Sequence, residues 1–203
     1  MIFLGFQNYY FFQNSINFVV QLAAMNRKLN TEEIVRVSID EYRDIPKIPL
    51  VVLLDNVRSM HNIGSVFRTA DAFRVEKVIL CGITATPPHN EIHKSALGAE
   101  YSVEWQYADD SRDIVERLAN EGYIPIAIEQ TEQSVALNHF DIDKSNRYVV
   151  VFGNEVFGVG QPTIDACRYS IEIPQAGTKH SLNVSVAAGI VIYDFFEKLN
   201  CSR

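Results

Sequence analysis

The sequence is poor in cysteine and has no cysteine spacing typical of a metal site. Its 203 residues include only Cys81, Cys167 and Cys201, and no two of them form a C-x-x-C pair. An odd number of widely separated cysteines excludes a disulfide framework built on their pairing and a cysteine zinc site. We therefore expect reduced, mostly buried thiols in a cytoplasmic protein that binds no metal.

The chain also lacks an excess of positive charge. Lysine and arginine number 18 against 25 acidic residues, which gives a formal net charge of −7 and a pI of about 5.2. Because nucleic-acid affinity comes largely from phosphate neutralisation, this balance argues against electrostatic capture over the whole surface. A local basic patch remains compatible with it. With 47% hydrophobic and 21% charged residues, the composition is that of a globular protein.

No apolar run in the chain is long and uninterrupted enough to predict a membrane span. Residues 1–24 are largely apolar, but polar residues that include Gln7, Asn8, Gln13, Asn14 and Asn17 interrupt them, and no basic residue precedes Arg27 as a signal peptide requires. From Met25 onward the sequence is typical of a cytosolic N-terminus. We interpret residues 1–24 as an accessory or misassigned extension, residues 25–49 as a helical arm and linker, and residues 50–203 as one domain.

Hydrophobic periodicity predicts alternating strands and helices after this arm. Short apolar runs predict strands at 50–54, 77–81, 103–105, 123–128 and 148–152, and a further strand ending near residue 173. Offsets of three and four predict helices at 31–42, from about 64 to 73, at 89–96, at 110–121, and from 181–183 to about 196. Residues 129–146 read as irregular. The pattern predicts an α/β domain with a three-layer, mainly parallel sheet.

Polar residues follow three of these strands, where ligands bind in open α/β sheets. The loop after Leu54 carries Asn56, Arg58, His61 and Asn62, the loop after Phe152 carries three glycines, and the loop after Ile173 leads to Ser181 and Asn183. The glycine loop fails as a phosphate loop because Val159 and Gly160 stand where Lys and Ser or Thr are required. No G-x-G-x-x-G follows any strand. With Glu155 in that loop, a ligand carrying positive charge fits better than a pyrophosphate.

Three motifs in a fixed order resemble those of the SpoU/TrmH family within the SPOUT superfamily. The first is N-x-G-x-x-x-R-T-A from Asn62 to Ala70, the second is G-N-E-x-x-G from Gly153 to Gly158, and the third is I-P…S-L-N-V-S-x-A-A-G from Ile173 to Gly189. The match also takes in residues 94–99 and spans roughly residues 50–198. Each motif alone is weak, whereas all three in order are specific.

The resemblance implies a fold and an activity beyond what the patterns themselves show. Members of the family are RNA ribose 2′-O-methyltransferases that use S-adenosylmethionine, have a C-terminal trefoil knot and are typically homodimers with the active site at the interface. By motif position, the residues expected to contact the cofactor are Gly153, Ile173 and Leu182. Ile128 and Glu129, at the end of the predicted strand 123–128, are expected to line the same pocket. The family activity needs no metal or membrane.

The same resemblance assigns catalytic and RNA-binding roles. The expected catalytic residues are Arg68, Asn62, Glu155, Ser181 and Asn183. A guanidinium is effectively always protonated, so we expect Arg68 to bind the phosphate beside the target ribose rather than to act as the base. Glu155 is the other candidate base, although it could instead fix its loop or pair with Arg68. The residues expected to bind RNA are Arg58, Arg68, Lys94 and Lys179.

Two alternatives stay open at this point. The chain could be an inactive RNA-binding module of the same fold, or an unrelated α/β enzyme that uses a dinucleotide. The full set of motif residues disfavours the first, and the failed glycine motifs disfavour the second. Ribosomal and transfer RNA are both modified within the family that the motifs resemble, so the expected substrate is tRNA or rRNA.

Overall fold

The computed structural model describes residues 27–34 and 37–200, apart from the Thr31 side chain. The interpretation of residues 1–24, the start at Met25 and the state of Cys201 lie outside these residues. The chain divides into two compact units, Met1–Val37 and Ser38–Arg203. In the described part of the first unit, Thr31–Glu33 forms one 3-10 turn, and Glu33 pairs with Arg27 at 2.7 Å.

The second unit begins with a short capped helix, α1, at Ile39–Asp44. The predicted single helix over 31–42 is therefore wrong, because the 3-10 turn ends at Glu33 and α1 starts separately. Ser38 explains the new start. Its hydroxyl accepts a hydrogen bond from the Glu41 backbone N–H, and the Glu41 carboxylate accepts one from the Ser38 N–H at 2.7 Å, which is a capping box.

A seven-stranded sheet forms the centre of the second unit, and all its strand pairs are parallel. Its order is β3-β2-β1-β6-β4-β7-β5. The strands are β1 Ile48–Asp55, β2 Val75–Cys81, β3 Trp105–Ala108, β4 Tyr123–Ile128, β5 Val135–Ala136, β6 Arg147–Phe152 and β7 Tyr169–Glu172. Because β1, β6 and β4 lie in the middle with neighbours on both sides, they are the continuous apolar runs that the sequence predicts.

Helices cover both faces of the sheet and complete the predicted three layers. They are α2 Met60–Ala72, α3 Asn90–Ala96, α4 Ala99–Ser102, α5 Ser111–Asn120, α6 Gln161–Ala166 and α7 Val184–Asn200. Alternate residues of β1 point to opposite sides: Leu50, Val52 and Leu54 pack with α2, α3 and α7, whereas Val51 and Leu53 pack with α5. Each face of the sheet therefore buries its own apolar core.

Two predicted boundaries are wrong, and four short elements were not predicted. Helix α2 begins at Met60 rather than near Gly64, because Ser59 caps it by accepting from the Asn62 N–H. Strand β3 runs from Trp105 rather than Val103, which instead ends the unpredicted helix α4. The segment read as irregular contains β5 and a 3-10 turn at Leu137–His139, and α6 follows Gly160.

Among residues 27–34 and 37–200, no helix combines the length and hydropathy needed to cross a bilayer. Of the two cysteines in this part of the chain, Cys81 is buried and Cys167 is half-buried, and both are free thiols. Burial raises the pKa of each thiol to about 12. Both thiols are therefore protonated at neutral pH. Cys81 is buried, as the sequence predicts, and Cys167 is only partly so.

Candidate active site

The carboxyl ends of the central strands gather the three motif segments at one edge of the sheet. The first follows β1 and enters α2, the second is the loop between β6 and α6, and the third connects β7 to α7. A fourth segment, which begins at Glu129, follows β4 between them. Since every strand pair is parallel, these four segments meet on the same side of the molecule.

Glu155 joins the second motif to the first. Its two carboxylate oxygens accept hydrogen bonds from the backbone N–H groups of Arg58 at 3.0 Å and Ser59 at 2.9 Å. The Asn62 side chain donates a third at 3.0 Å. The carboxylate thus satisfies free donors at the start of α2, where the positive end of the helix dipole also favours an anion.

These contacts also set the charge of Glu155. Partial desolvation raises the pKa of its carboxyl, but the hydrogen bonds from Arg58, Ser59 and Asn62 together outweigh it and leave the pKa below its ordinary value. The group is therefore ionised at neutral pH. A carboxylate with three donors and a lowered pKa is a weak base and a strong anchor, which favours the loop-fixing alternative for Glu155.

Asn183 joins the third motif to this cluster. Its Oδ1 accepts from the backbone N–H groups of Ser185 at 2.9 Å and Val186 at 3.4 Å, so the residue caps α7 as the sequence predicts. Its Nδ2 donates to Asn62 Oδ1 at 3.1 Å. Asn62 is only 8% exposed, and both ends of its amide are occupied by Glu155 and Asn183. A continuous polar chain therefore links all three motifs.

The second motif closes into a tight tip between Asn154 and Gly158. These two residues exchange both backbone hydrogen bonds, at 3.0 and 2.9 Å, and the Asn154 side chain donates to the Asn56 carbonyl at 2.7 Å. Gly158 has φ +67°, which favours glycine. A Cβ on Gly153 would lie 2.0 Å from the Gly158 carbonyl carbon. The close approach expected at Gly153 is thus made, within this chain, by the loop's own backbone.

Glu129 fixes the other side of this tip. Its Oε2 accepts from the Val159 N–H and its Oε1 from the Gln130 N–H, both at 3.0 Å. The Glu129 N–H in turn donates to the Ile171 carbonyl at 3.0 Å. Glu129 therefore ties the end of β4 to the loop after β6 and to β7.

A cavity of about 540 Å³ lies between these segments. Its apolar lining comprises Ile128, Phe152, Ile171, Ile173, Leu182, Val184 and Ala187, and its carboxylates are Glu129, Glu155 and Glu172. All five residues expected to contact a cofactor line it: Gly153, Ile173, Leu182, Ile128 and Glu129. Ser181 and Asn183 lie at the same cavity. A partly apolar pocket with negative charge suits a ligand that combines a flat ring with a cationic centre.

The structure does not bring Arg68 into this cluster. Arg68 is exposed on α2, and its side chain makes no hydrogen bond or ion pair with any residue in the described part of the chain. Six helical residues separate it from Asn62, so it lies roughly 9 Å further along the axis and on a different face. An ion pair between Arg68 and Glu155, one of the alternatives left open by the sequence, is absent from the described contacts.

The other residues expected to bind RNA are exposed and dispersed. The Arg58 side chain is free in solvent beside the Glu155 anchor, and Lys179 lies on the loop before α7. Lys94 pairs with Glu91 at 2.6 Å on α3. Of these three cations, Arg58 and Lys179 lie on segments that are hydrogen-bonded to the motif cluster, and Lys94 lies on α3.

Two residues of the site, Val156 and Phe157, were not predicted from the sequence. Phe157 and Val156 form the exposed point of the second-motif tip and also line the cavity. No periodic pattern marks a three-residue tip, although the N-x-x-x-G spacing between Asn154 and Gly158 was a usable signal for a closed turn.

Residues 27–34 and 37–200 contain no group of three or more histidine, cysteine or acidic side chains able to hold a metal ion.

The sequence profile of the SpoU rRNA Methylase family matches residues 49–193, which include all four segments of the site. A Staphylococcus saprophyticus protein assigned to the TrmH family of tRNA/rRNA methyltransferases is 30% identical over 154 residues, covering 76% of this chain and 61% of the relative. A Staphylococcus haemolyticus protein of the same description is 29% identical over 160 residues, covering 79% and 63%. The chain thus spans about three-fifths of the length of these curated relatives.

Solved structures show the same fold. The A. aeolicus TrmH/SpoU tRNA modifying enzyme superposes with a TM-score of 0.70 at 26% identity, covering 79% of this chain and 81% of that one. An AdoMet-bound rRNA methyltransferase from Sinorhizobium meliloti superposes with a TM-score of 0.69 at 29% identity, covering 79% and 61%. The family profile, the relatives and the joined motif segments agree, and the chain belongs to the SpoU rRNA methylase family.

Proposed function

We propose that this protein transfers a methyl group from S-adenosylmethionine to the ribose 2′-hydroxyl of a nucleotide in tRNA or rRNA. The observation that carries the proposal is the polar chain Glu155–Asn62–Asn183, which holds the three family motifs together beside one cavity. The matched relatives are described as tRNA/rRNA methyltransferases, and a matched solved structure contains bound AdoMet.

The cavity fits S-adenosylmethionine by chemistry and by size. Its volume of about 540 Å³ lies within the range of small-molecule sites, and its apolar walls suit an adenine ring. Ile128, Ile173 and Leu182 supply that apolar lining, while Glu129 and the edge of the Gly153 loop place negative charge and backbone groups around it. When bound, the cofactor supplies a methyl group made electrophilic by its positively charged sulfur.

The protein's own residues orient the acceptor and stabilise charge. Ser181 and Asn183 lie at the cavity, and Asn62 fixes the Asn183 amide. We assign them to hydrogen bonds that hold the ribose in line for transfer. We assign Arg68 to the phosphate beside that ribose, with the proton of the 2′-hydroxyl leaving to this phosphate or to solvent. Glu155 is the anchor of the α2 N-terminus.

The position of Arg68 favours a homodimer as the active form. Its side chain is exposed and lies outside the cavity lining within one protomer, so Arg68 does not reach the cavity of its own chain as the structure describes it. We propose that Arg68 of the partner subunit completes the site, which is the interface arrangement that the family resemblance implies. The proposal includes the C-terminal trefoil knot and a cytoplasmic location.

Methyl transfer from labelled S-adenosylmethionine tests the proposal. The acceptor is total RNA from a strain lacking this gene, separated into transfer and ribosomal fractions after the reaction. Label in one fraction supports the activity and identifies the substrate class. If S-adenosylmethionine binds and neither fraction is labelled, the inactive RNA-binding module becomes the better account.

A further inference from the structure

Phe157 is an aromatic residue held out in solvent at the entrance of the candidate site. It is 86% exposed, the neighbouring Val156 is 68% exposed, and both line the cavity. Scattered exposed apolar residues are common on protein surfaces. The position of this one is unusual, because it adjoins Glu155 in the motif that anchors α2.

The exposure of Phe157 belongs to a fixed turn. Asn154 Oδ1 accepts from the N–H groups of Val156 at 2.9 Å and Phe157 at 3.2 Å, and Asn154 exchanges two backbone hydrogen bonds with Gly158. Glu155 is bound to the start of α2 on one side, and Val159 to Glu129 on the other. The Phe157 N–H is bonded within the turn and the turn is held on both sides, so little backbone ordering entropy remains to be lost when the ring binds a partner.

The charges around the tip favour a base over a phosphate as the partner of the ring. The cavity beside it carries the carboxylates of Glu129, Glu155 and Glu172, and the whole chain has a net charge of −7. Phosphate neutralisation therefore contributes less to RNA affinity than in a basic protein. Every base has a π face that stacks on an aromatic ring without requiring positive charge. Arg58, on the segment bonded to Glu155, is an exposed cation available to a phosphate.

We propose that Phe157 is a stacking platform for an unpaired base of the RNA substrate, adjacent to the nucleotide whose ribose is methylated. This proposal rests on the proposed function. Because a base must leave its helix to stack on a side chain, the substrate site is a single-stranded loop, bulge or junction rather than a regular duplex. Phe157 thereby positions the RNA while the motif cluster handles the reacting ribose.

The variant Phe157→Ala tests the proposal against Ile83→Ala, a matched control. Ile83 is 66% exposed and lies outside the residues that line the cavity. With the RNA fraction that accepts methyl groups, Phe157→Ala should raise the KM for RNA about 5- to 150-fold with kcat nearly unchanged. The Kd for S-adenosylmethionine should change far less than the KM for RNA, because the ring is 86% exposed at the edge of the cavity. Ile83→Ala should match the unmodified protein in all three quantities.

Salt dependence distinguishes stacking from a charge effect. The slope of log K for RNA binding against log salt should be the same in Phe157→Ala as in the unmodified protein, because stacking releases no counterions. Arg58→Ala should instead reduce that slope by roughly 0.7 to 0.9. A shallower slope in Phe157→Ala would overturn the proposal, and so would an affinity for RNA equal to that of Ile83→Ala.

Fluorescence reports the contact without requiring methyl transfer. Trp105 is the only tryptophan, so Phe157→Trp adds one reporter at the tip and Ile83→Trp adds one elsewhere. Bulk tRNA or rRNA should quench the added emission of Phe157→Trp. The added emission of Ile83→Trp should stay unchanged. Quenching by S-adenosylmethionine alone, or a changed molecular mass of Phe157→Ala in light scattering, would assign the ring to the cofactor or to a second copy and overturn the proposal. If the unmodified protein neither methylates nor binds RNA, the proposed function fails as well.

Discussion

Three consecutive residues of the second motif each hold a different neighbour. Gly153 leaves no room for a Cβ against the Gly158 backbone, Asn154 closes the tip and reaches the Asn56 carbonyl, and Glu155 binds the start of α2. Each residue type follows from its contact. At position 153 a larger side chain would overlap the backbone, and at position 154 the side chain must both donate and accept. At position 155 an anion accepts more strongly than a neutral group. The second motif therefore joins neighbouring segments, and the shape of the candidate site depends on these contacts.

The variant Glu155→Gln tests the anchor through the pH dependence of stability. The pKa of Glu155 is lowered in the folded state, so its ionised form stabilises the fold above the unfolded-state pKa, and this contribution is lost as pH falls through the folded-state pKa. Glutamine does not titrate. We expect Glu155→Gln to lower the free energy of unfolding by about 1 kcal/mol at pH 7 and to differ less from the unmodified protein near pH 3.

Urea unfolding between pH 3 and pH 7 measures this difference, with Glu132→Gln as the control. Glu132 is exposed after β4 and has no hydrogen bond or ion pair with any residue that the structure describes. A constant gap between Glu155→Gln and the unmodified protein at every pH would show that the carboxylate charge is not what anchors α2.

The variant Gly153→Val tests whether the second-motif loop shapes the cofactor cavity. A side chain at this position overlaps the Gly158 backbone, which cannot move without breaking the two bonds to Asn154. We expect about 1–3 kcal/mol of destabilisation and at least a roughly tenfold weaker binding of S-adenosylmethionine. Gly177→Ala, at a position with open space around it, should change neither quantity. Full affinity of Gly153→Val for S-adenosylmethionine, measured by titration calorimetry, would contradict the role of this loop in shaping the cofactor cavity.

At the scale of the elements, the first motif owes its glycine to helix packing. A Cβ on Gly64 of α2 would lie 2.1 Å from Ser95 Oγ and 2.3 Å from the Ile92 carbonyl oxygen of α3. The glycine of the first motif and the 94–99 segment of the resemblance therefore form one contact, the point where α2 and α3 touch. This contact fixes the direction of the helix that carries both Asn62 and Arg68.

The variant Gly64→Ala should therefore destabilise the protein by about 1–3 kcal/mol, because α3 must shift to admit even one methyl group. Thermal unfolding checks this, with the adjacent Ser65→Ala as control. Ser65 donates only to the His61 carbonyl within its own helix, and its loss should change stability by no more than about 0.5 kcal/mol. An unchanged midpoint for Gly64→Ala would contradict the close packing of α2 on α3.

The elements that the sequence predicts well are those defined by local pattern. Strand β4 matches its prediction at both ends, and β1 and β6 extend theirs by one or two residues, because a buried parallel strand is a continuous apolar run. The start of α2 was misplaced because Asn62 is polar and buried, and its burial depends on Glu155, 93 residues away. Pro162 near the start of α6 was a local signal that went unused.

The sequence predicts which segments line the candidate cavity better than it predicts where individual side chains lie around it. All five expected cofactor residues line one cavity, because motif order along the chain maps onto the ends of parallel strands. The exposed position of Arg68 was not predictable, since it depends on which face of α2 meets the sheet and on what lies beyond the protomer. The contact between Glu129 and the Val159 N–H likewise joins segments 30 residues apart.

At the scale of the whole molecule, the proposed role of Arg68 of the partner subunit would bring two chains to one reaction. Within one protomer the cavity collects the hydrogen-bonding residues, while Arg68 lies outside it. A mixture of two inactive variants, Arg68→Ala and Asn183→Ala, tests the arrangement. If Arg68 acts across the interface, each mixed dimer contains one intact site, and an equimolar mixture should recover about a quarter of the unmodified activity.

Each variant alone should be inactive, and Arg68→Ala should keep nearly full affinity for S-adenosylmethionine because it does not touch the cavity. Subunits must be exchanged by mild unfolding and refolding before the assay. No recovery, with mixed dimers shown by mass spectrometry, would place Arg68 in the site of its own chain or outside catalysis.

Analysis of the methylated product tests whether the methyl group is transferred to the ribose 2′-hydroxyl. RNA labelled by this protein would be digested to nucleosides and separated by liquid chromatography with mass detection. The account predicts a single labelled nucleoside with the methyl group on the ribose, and loss of that product in Arg68→Ala. Label on a base, with none on ribose, would contradict the proposed chemistry even though methyl transfer itself had occurred.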